Sequence, residues 1–254
     1  MSLRLIGMVH LGPLPGSPRY AGGFDAVIAA AREDAGRLAA AGFDAVLVEN
    51  YGDTPFFADD VPKATVAAMA VAVDAVAEAG IPAGVNVLRN DALAALAVAA
   101  ASGASFIRVN VLSGVMSTDQ GTITGRAAEV ARLRKAIAPE VAVFADVFVK
   151  HATPPPGLTI EQAAADLWER AGADAIVISG TSTGRALDMN ELDAVHTALP
   201  DAPLYAGSGV DSGTVADLLR LCTGVIVSTS IKEGRVTTAP VDAVRARELV
   251  AAAG

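Results

Sequence analysis

Cysteine is almost missing from this sequence. Cys222 stands alone among 254 residues, so no intramolecular disulfide can form, which fits a reducing, cytoplasmic setting and leaves Cys222 a packing role. Aromatic residues are scarce, at 4%. The core must therefore be built from Ala, Val, Ile and Leu, which suits parallel strands covered by helices on both faces. Positive charge is also short: the net charge is −9 and no basic stripe is visible. That argues against a nucleic-acid partner, and an anionic ligand would have to be met by local positive charge. No uncharged apolar run reaches membrane-spanning length; the longest, 92–107, is interrupted by Ser102, Gly103 and Ser105. The N-terminus lacks the basic, apolar and small-residue segments of a signal peptide. No G-x-x-x-x-G-K-[ST] loop is present, so nucleotide hydrolysis would need another kind of site.

What the chain does have is alternation. Eight short β-branched or apolar runs stand at 3–9, 45–49, 82–87, 106–111, 142–147, 175–179, 203–206 and 224–228. Ala-rich helical segments separate them, at 25–41, 64–79, 91–101, 125–138, 160–171, 188–198, 212–221 and 240–252. Strand–helix alternation predicts parallel βαβ units. The segments AGFDAVLVEN (41–50), SGASFIRVN (102–110) and AGADAIVISG (171–180) share one pattern, with CTGVIVSTS (222–230) a shorter version. In the three long copies Gly42, Gly103 and Gly172 sit where a helix C-terminus needs a left-handed residue. A unit recurring before every second strand fits a closed barrel better than an open sheet. The expectation is an α/β fold, one (β/α)8 TIM barrel spanning 1–254, with the Pro-rich 151–158 as a stiff loop.

In such barrels chemistry sits just past the strand C-termini. The unusual polar residues fall there: His10 after the first strand, Glu49 and Asn50 at the second, Asn86, Arg89 and Asn90 at the third, Arg108 and Asn110 at the fourth, Asp146, Lys150 and His151 at the fifth, and Ser179, Thr181 and Thr183 at the sixth. Any one of these can simply satisfy backbone groups, but so many ionisable groups on one rim are costly unless they pair or bind something. After the seventh strand comes Gly207–Ser208–Gly209, and after the eighth Ser228–Thr229–Ser230 with Lys232 beyond. Small residues let backbone N–H groups approach an anion, the following helix N-termini favour negative charge, and these two loops are where barrels commonly hold phosphate.

These expectations assemble into an enzyme acting on a phosphorylated small molecule, a sugar phosphate above all, by isomerisation, epimerisation or carbon–carbon cleavage. Glu49 and Asp146 are the base and acid, and Arg108 and Asn110 hold a developing oxyanion. Asn86, Arg89, His151, Ser179, Gly180 and Thr183 are expected to contact substrate. Lys150 is read as an anion clamp, with a Schiff-base nucleophile as the variant. His10, Glu49, Asp146 and His151 form a set able to hold Zn²⁺, Fe²⁺ or Mn²⁺, although no pair has metal-motif spacing and no cofactor is firmly expected. A homo-oligomer is expected, since parts of the bland helical surface suit burial between copies.

Several segments are distinctive: GMVHLGPLPGSPRY (7–20), VENYGDTPF (48–56), TVAAM (65–69), GVNVLRND (84–91), FIRVNVLSGVMSTDQG (106–121), ADVFVKHATP (145–154), SGTSTG (179–184) and GSGV (207–210). Together they resemble the BtpA/SgcQ family over nearly the whole chain. The resemblance implies a TIM-barrel-like fold. It also implies an alternative function, a non-catalytic assembly factor, because the family name comes from photosystem I biogenesis in cyanobacteria; the SgcQ branch resembles an enzyme of a sugar-utilisation cluster. The sequence departs from the family pattern at Ser228, where a glycine is usual. A shared fold does not carry a shared function.

Overall fold

The computed structural model describes residues 3–180 and 187–254. Eight parallel strands close on themselves: β1 (Leu5–His10), β2 (Ala45–Glu49), β3 (Ala83–Asn86), β4 (Phe106–Val109), β7 (Ala142–Val147), β9 (Ala175–Ile178), β10 (Leu204–Ala206) and β11 (Gly224–Val227), which pairs back onto β1. Around them lie α1 (Phe24–Ala41), α2 (Lys63–Ala77), α3 (Ala92–Ser102), α4 (Ala127–Ile137), α5 (Ile160–Ala165, continued by a π-helical turn), α6 (Met189–Ala198), α7 (Val215–Leu221) and α8 (Ala243–Ala253). The eight expected strands and helices are all present. Gly42 and Gly103 end α1 and α3 in the left-handed conformation, and Gly172 adopts it after the π-helical turn.

Period-two alternation explains how the barrel interior is layered. Met8, Leu47, Phe106, Phe144, Val177 and Ile226 form an apolar layer inside the strands. Two residues further on, along the same faces, stand His10, Glu49, Arg108, Asp146, Ser179 and Ser228. The few aromatics are concentrated below: the Phe106–Phe144 and Phe144–Tyr205 ring centroids are 4.9 and 4.7 Å apart. Gly84 makes room for them, since a Cβ there would meet the Phe106 ring at 2.3 Å. The larger aliphatic core lies outside, between strands and helices. Cys222 belongs to it, and burial pushes its thiol up to about 12.

One element goes beyond the expected plan. A hairpin of β5 (Val115–Thr118) and β6 (Gly121–Thr124) follows β4, and β8 (Ala152–Thr153), inside the Pro-rich segment, pairs antiparallel with β5. Gly121, at φ 94°, closes its turn. The sequence signal was present in VMST and GTIT around Asp119–Gln120, but the strands are too short to stand out beside the barrel runs.

Candidate active site

At the C-terminal mouth of the barrel is a cavity of about 800 Å³. His10, Glu49, Arg108 and Ser228 of the upper polar layer form its floor and the loops after β1, β2, β3, β7, β10 and β11 form its walls; the hairpin brings Asp119 and Gln120 to its edge.

Arg108 anchors the floor. Its Nε lies 3.2 and 3.3 Å from the two Asp146 oxygens and its Nη2 lies 2.8 Å from Oδ1. Asn110 Nδ2 donates to Asp146 Oδ2 at 2.6 Å, and Arg108 Nη2 reaches Ser179 Oγ at 3.4 Å. Asp146 is fully enclosed by these donors and lies behind Arg108, outside the cavity lining. That corrects the expectation of Asp146 as the catalytic acid: its oxygens are occupied in fixing the guanidinium, which is the group that faces the cavity.

Glu49 does face it. Asn86 Nδ2 donates to Glu49 Oε2 at 2.9 Å, and His10 Nε2 stands 3.6 Å from Oε1. Burial raises the Glu49 carboxyl, against the opposing pull of Arg108 and Lys150. His10 is pushed the other way, to about 3, by burial and then by the charge of Lys232. Its Nδ1 lies 2.9 Å from the Thr237 carbonyl, which only accepts, so the proton is on Nδ1 and the Nε2 lone pair turns towards Glu49. Asn86 is buried behind Glu49, so it positions that carboxyl and does not reach the cavity.

Lys150 lines the cavity, and its Nζ donates to the Gly207 carbonyl at 2.9 Å. Burial and the nearby Arg108 lower its amine to about 8. Arg89, also on the cavity wall, donates from Nη2 to the Lys150 carbonyl. His151 reaches the rim as an exposed residue at φ 56°. The four residues of the expected metal set do not converge. Asp146 is enclosed by Arg108 and Asn110, and no group of three or more His, Cys, Asp or Glu suited to a metal occurs among the described residues.

The two small-residue loops meet across the cavity. Gly207, Ser208, Gly209, Ser228, Thr229 and Ser230 all line it. Ser230 Oγ donates to the Val210 carbonyl at 2.6 Å, and Thr229 Oγ1 pairs with Thr237 Oγ1 at 2.9 Å. The hydroxyls of Ser208 and Ser228 are buried with no hydrogen-bond partner, as are Asn110 Oδ1 and Gln120 Oε1.

Lys232 is a second correction. Its Nζ is buried against Asp34 Oδ2 at 2.6 Å, behind the loop and away from the cavity. Two tight turns, 229–231 and 233–235, reverse the chain after β11, so Lys232 points at α1 and Arg235, absent from the sequence expectation, lines the cavity instead. The helix N-termini are likewise already taken. Asp211 Oδ1 accepts from the amides of Gly213 and Thr214 before α7, and Asp242 caps α8. Charge for an anion comes from side chains: Arg19, Arg89, Arg108, Lys150 and Arg235 against Glu49, Asp119 and Asp211. Ser179 and Gly180 are buried beside Arg108 and at the end of β9. Thr181 and Thr183 lie outside the described residues. No helix among the described residues is long and apolar enough to cross a membrane.

Comparison with known proteins agrees on family and fold. The sequence model of the BtpA family matches residues 1–254. A protein of Thermococcus kodakarensis is 52% identical over 97% of this chain and 93% of its own length. The photosystem I biogenesis protein BtpA of Synechocystis is 43% identical over 98% of this chain and 87% of its own length. Among solved structures, the thiamine phosphate pyrophosphorylase of Pyrococcus furiosus superposes with a TM-score of 0.60 at 14% identity, covering 99% of this chain and 96% of that one. A 3-hexulose-6-phosphate synthase gives 0.60 at 17% identity, covering 99% and 100%. At such identities the likeness is one of fold.

Proposed function

The chain belongs to the BtpA family, and we propose that it is an enzyme acting on a phosphorylated small molecule by acid–base chemistry at the mouth of its barrel. The observation that carries this reading is the placement of four buried polar atoms without partners. Asn110 Oδ1, Gln120 Oε1, Ser208 Oγ and Ser228 Oγ all belong to residues on the wall of the same cavity. Leaving such an atom unpaired costs about 1–3 kcal/mol, which a ligand recovers where binding shifts the wall enough to bring a partner to it.

Charge narrows the ligand. Five basic side chains line the cavity against three carboxylates, and with Asp146 offsetting Arg108 from behind a small positive excess remains in a chain of net charge −9, which favours anions there. Ser208 and Ser228, with the glycines beside Ser208, are the phosphate contacts. The barrels superposed above include enzymes whose names carry phosphate compounds. Glu49 is the proton carrier: its carboxyl is displaced towards neutrality, where a general acid–base works best. Arg108 and the amide of Asn110 are the groups assigned to a developing oxyanion, with Asp146 holding both in place. The reaction class is proton transfer next to a carbonyl, as in isomerases, epimerases and lyases.

The test is a thermal-shift screen with inorganic phosphate and a panel of phosphosugars, followed by turnover assays on the wild type and Glu49→Gln. Stabilisation by phosphate esters and turnover abolished in Glu49→Gln are expected. If no phosphate ester binds and none is turned over, the reading fails.

A further inference from the structure

The sequence contains four lysines, and the fold gives them different surroundings. Lys63 and Lys135 are exposed on helices, Lys232 is sealed against Asp34, and Lys150 alone lines the cavity. Fixed positive charge is already supplied there by arginines, which hold phosphate bidentately and do not titrate. A lysine in such company is distinguished by what arginine cannot do, which is to give up its proton and form a covalent bond. Its backbone is also fixed in place. Phe148 and His151, on either side, take the left-handed conformation, at φ 50° and 56°, and Arg89 holds the intervening carbonyl.

Resting on the phosphate reading above, we infer that Lys150 is a nucleophile that forms an imine, and that the substrates are phosphorylated aldehydes or ketones. The amine is surrounded by Arg108 on β4, Arg89 after β3, Glu49 on β2 and Asp146 on β7. Burial and then Arg108 disfavour its ammonium form against the opposing pull of Asp146 and Glu49, while the Gly207 carbonyl accepts one N–H and leaves the lone pair of the neutral amine for the cavity. In the first step the C–N bond forms as the carbonyl π bond breaks, and the carbonyl oxygen takes a proton from Glu49. The nitrogen then loses a proton back to Glu49. A second protonation of that oxygen breaks the C–O bond and releases water. The sum is neutral amine, carbonyl and protonated Glu49 giving iminium, water and the Glu49 carboxylate, with no oxidant or reductant. The iminium then accepts the electron pair of a neighbouring C–H or C–C bond, which is the proton-transfer or cleavage step assigned to the site.

Pyridoxal 5′-phosphate, an aldehyde carrying a phosphate, is the probe. The full chain is incubated with it, reduced with borohydride and mapped by mass spectrometry. At about pH 7.5 the neutral fraction of an amine of pKa about 8 exceeds that of an exposed lysine on the order of a hundredfold. Lys150 should therefore be modified at least about tenfold faster than Lys63 or Lys135. Inorganic phosphate should slow that reaction, and Lys150→Met, folded by its melting curve, should lose the adduct. Modification of Lys63 and Lys135 with Lys150 untouched overturns the inference. If inorganic phosphate still raises the melting temperature in that case, the phosphate reading survives the failure. If pyridoxal without the phosphate labels Lys150 equally well and inorganic phosphate does not slow it, the nucleophile stands and the phosphorylated substrate class falls.

Discussion

Lys150 and Lys232 make an instructive pair. Both follow the end of a barrel strand, and both are pushed down by burial. Lys232 has a carboxylate at 2.6 Å, and that carboxylate also accepts the Val241 amide at 2.7 Å, so the pair ties the loop after β11 to α1. Lys150 has a neutral carbonyl for its hydrogen-bond partner, with Arg108 and Arg89 opposing its charge and Asp146 and Glu49 favouring it at longer range. A direct carboxylate partner turns one buried lysine into a structural tie, and the lack of one at hydrogen-bond distance among the described residues is what underlies the nucleophile proposed for the other.

The sharpest way to break the comparison is to remove each amine in turn. Lys232→Met leaves Asp34 buried without its cation and should cost about 3–5 kcal/mol in urea-induced unfolding. Lys150→Met should instead leave the protein more stable, by about 1–2 kcal/mol near neutral pH, because the fold disfavours the ammonium it carries. The sign follows from the pKa values. The folded value of about 8 lies below the ordinary lysine value, so the unfolded chain binds the proton more tightly. The penalty is full below about pH 8 and fades as pH rises towards about 10.4, so the advantage of Lys150→Met should shrink over that window. Equal losses for the two variants would erase the distinction. The smallest effect concerns the atoms the ligand is expected to complete. Ser208→Ala and Ser228→Ala remove unpaired buried hydroxyls and should leave the free protein slightly more stable, by up to about 1 kcal/mol. The same variants should lose most of the thermal shift given by phosphate, and retention of the full shift would remove both serines from the phosphate contacts.

The barrel was legible because its signals are local: strand length, strand–helix alternation and a glycine ending a helix can be read from a window of residues. The polar layer was legible for the same reason, since His10, Glu49 and Arg108 stand two positions beyond apolar residues of one face. What a side chain meets across the barrel is not local. Arg108 and Asp146 lie on adjacent strands but 38 positions apart, so the sequence offers Asp146 as a free carboxylate when it is a clamped one. Lys232 meets a residue 198 positions away, and two tight turns decide its direction. Arg235 was missed because those same turns bring it to the cavity in the place where Lys232 was expected.

The pairing of β5 with β8 has a consequence for anyone who would re-engineer this mouth. Ser117 and Thr118 register with Thr153 and Ala152, so the excursion after the fourth barrel strand is stitched to the one after the fifth, a few residues from Lys150. The two loops share one small sheet. Grafting, trimming or randomising either alone leaves the other with an unpaired strand edge, so the pair must be exchanged together if its specificity is to be moved to another barrel.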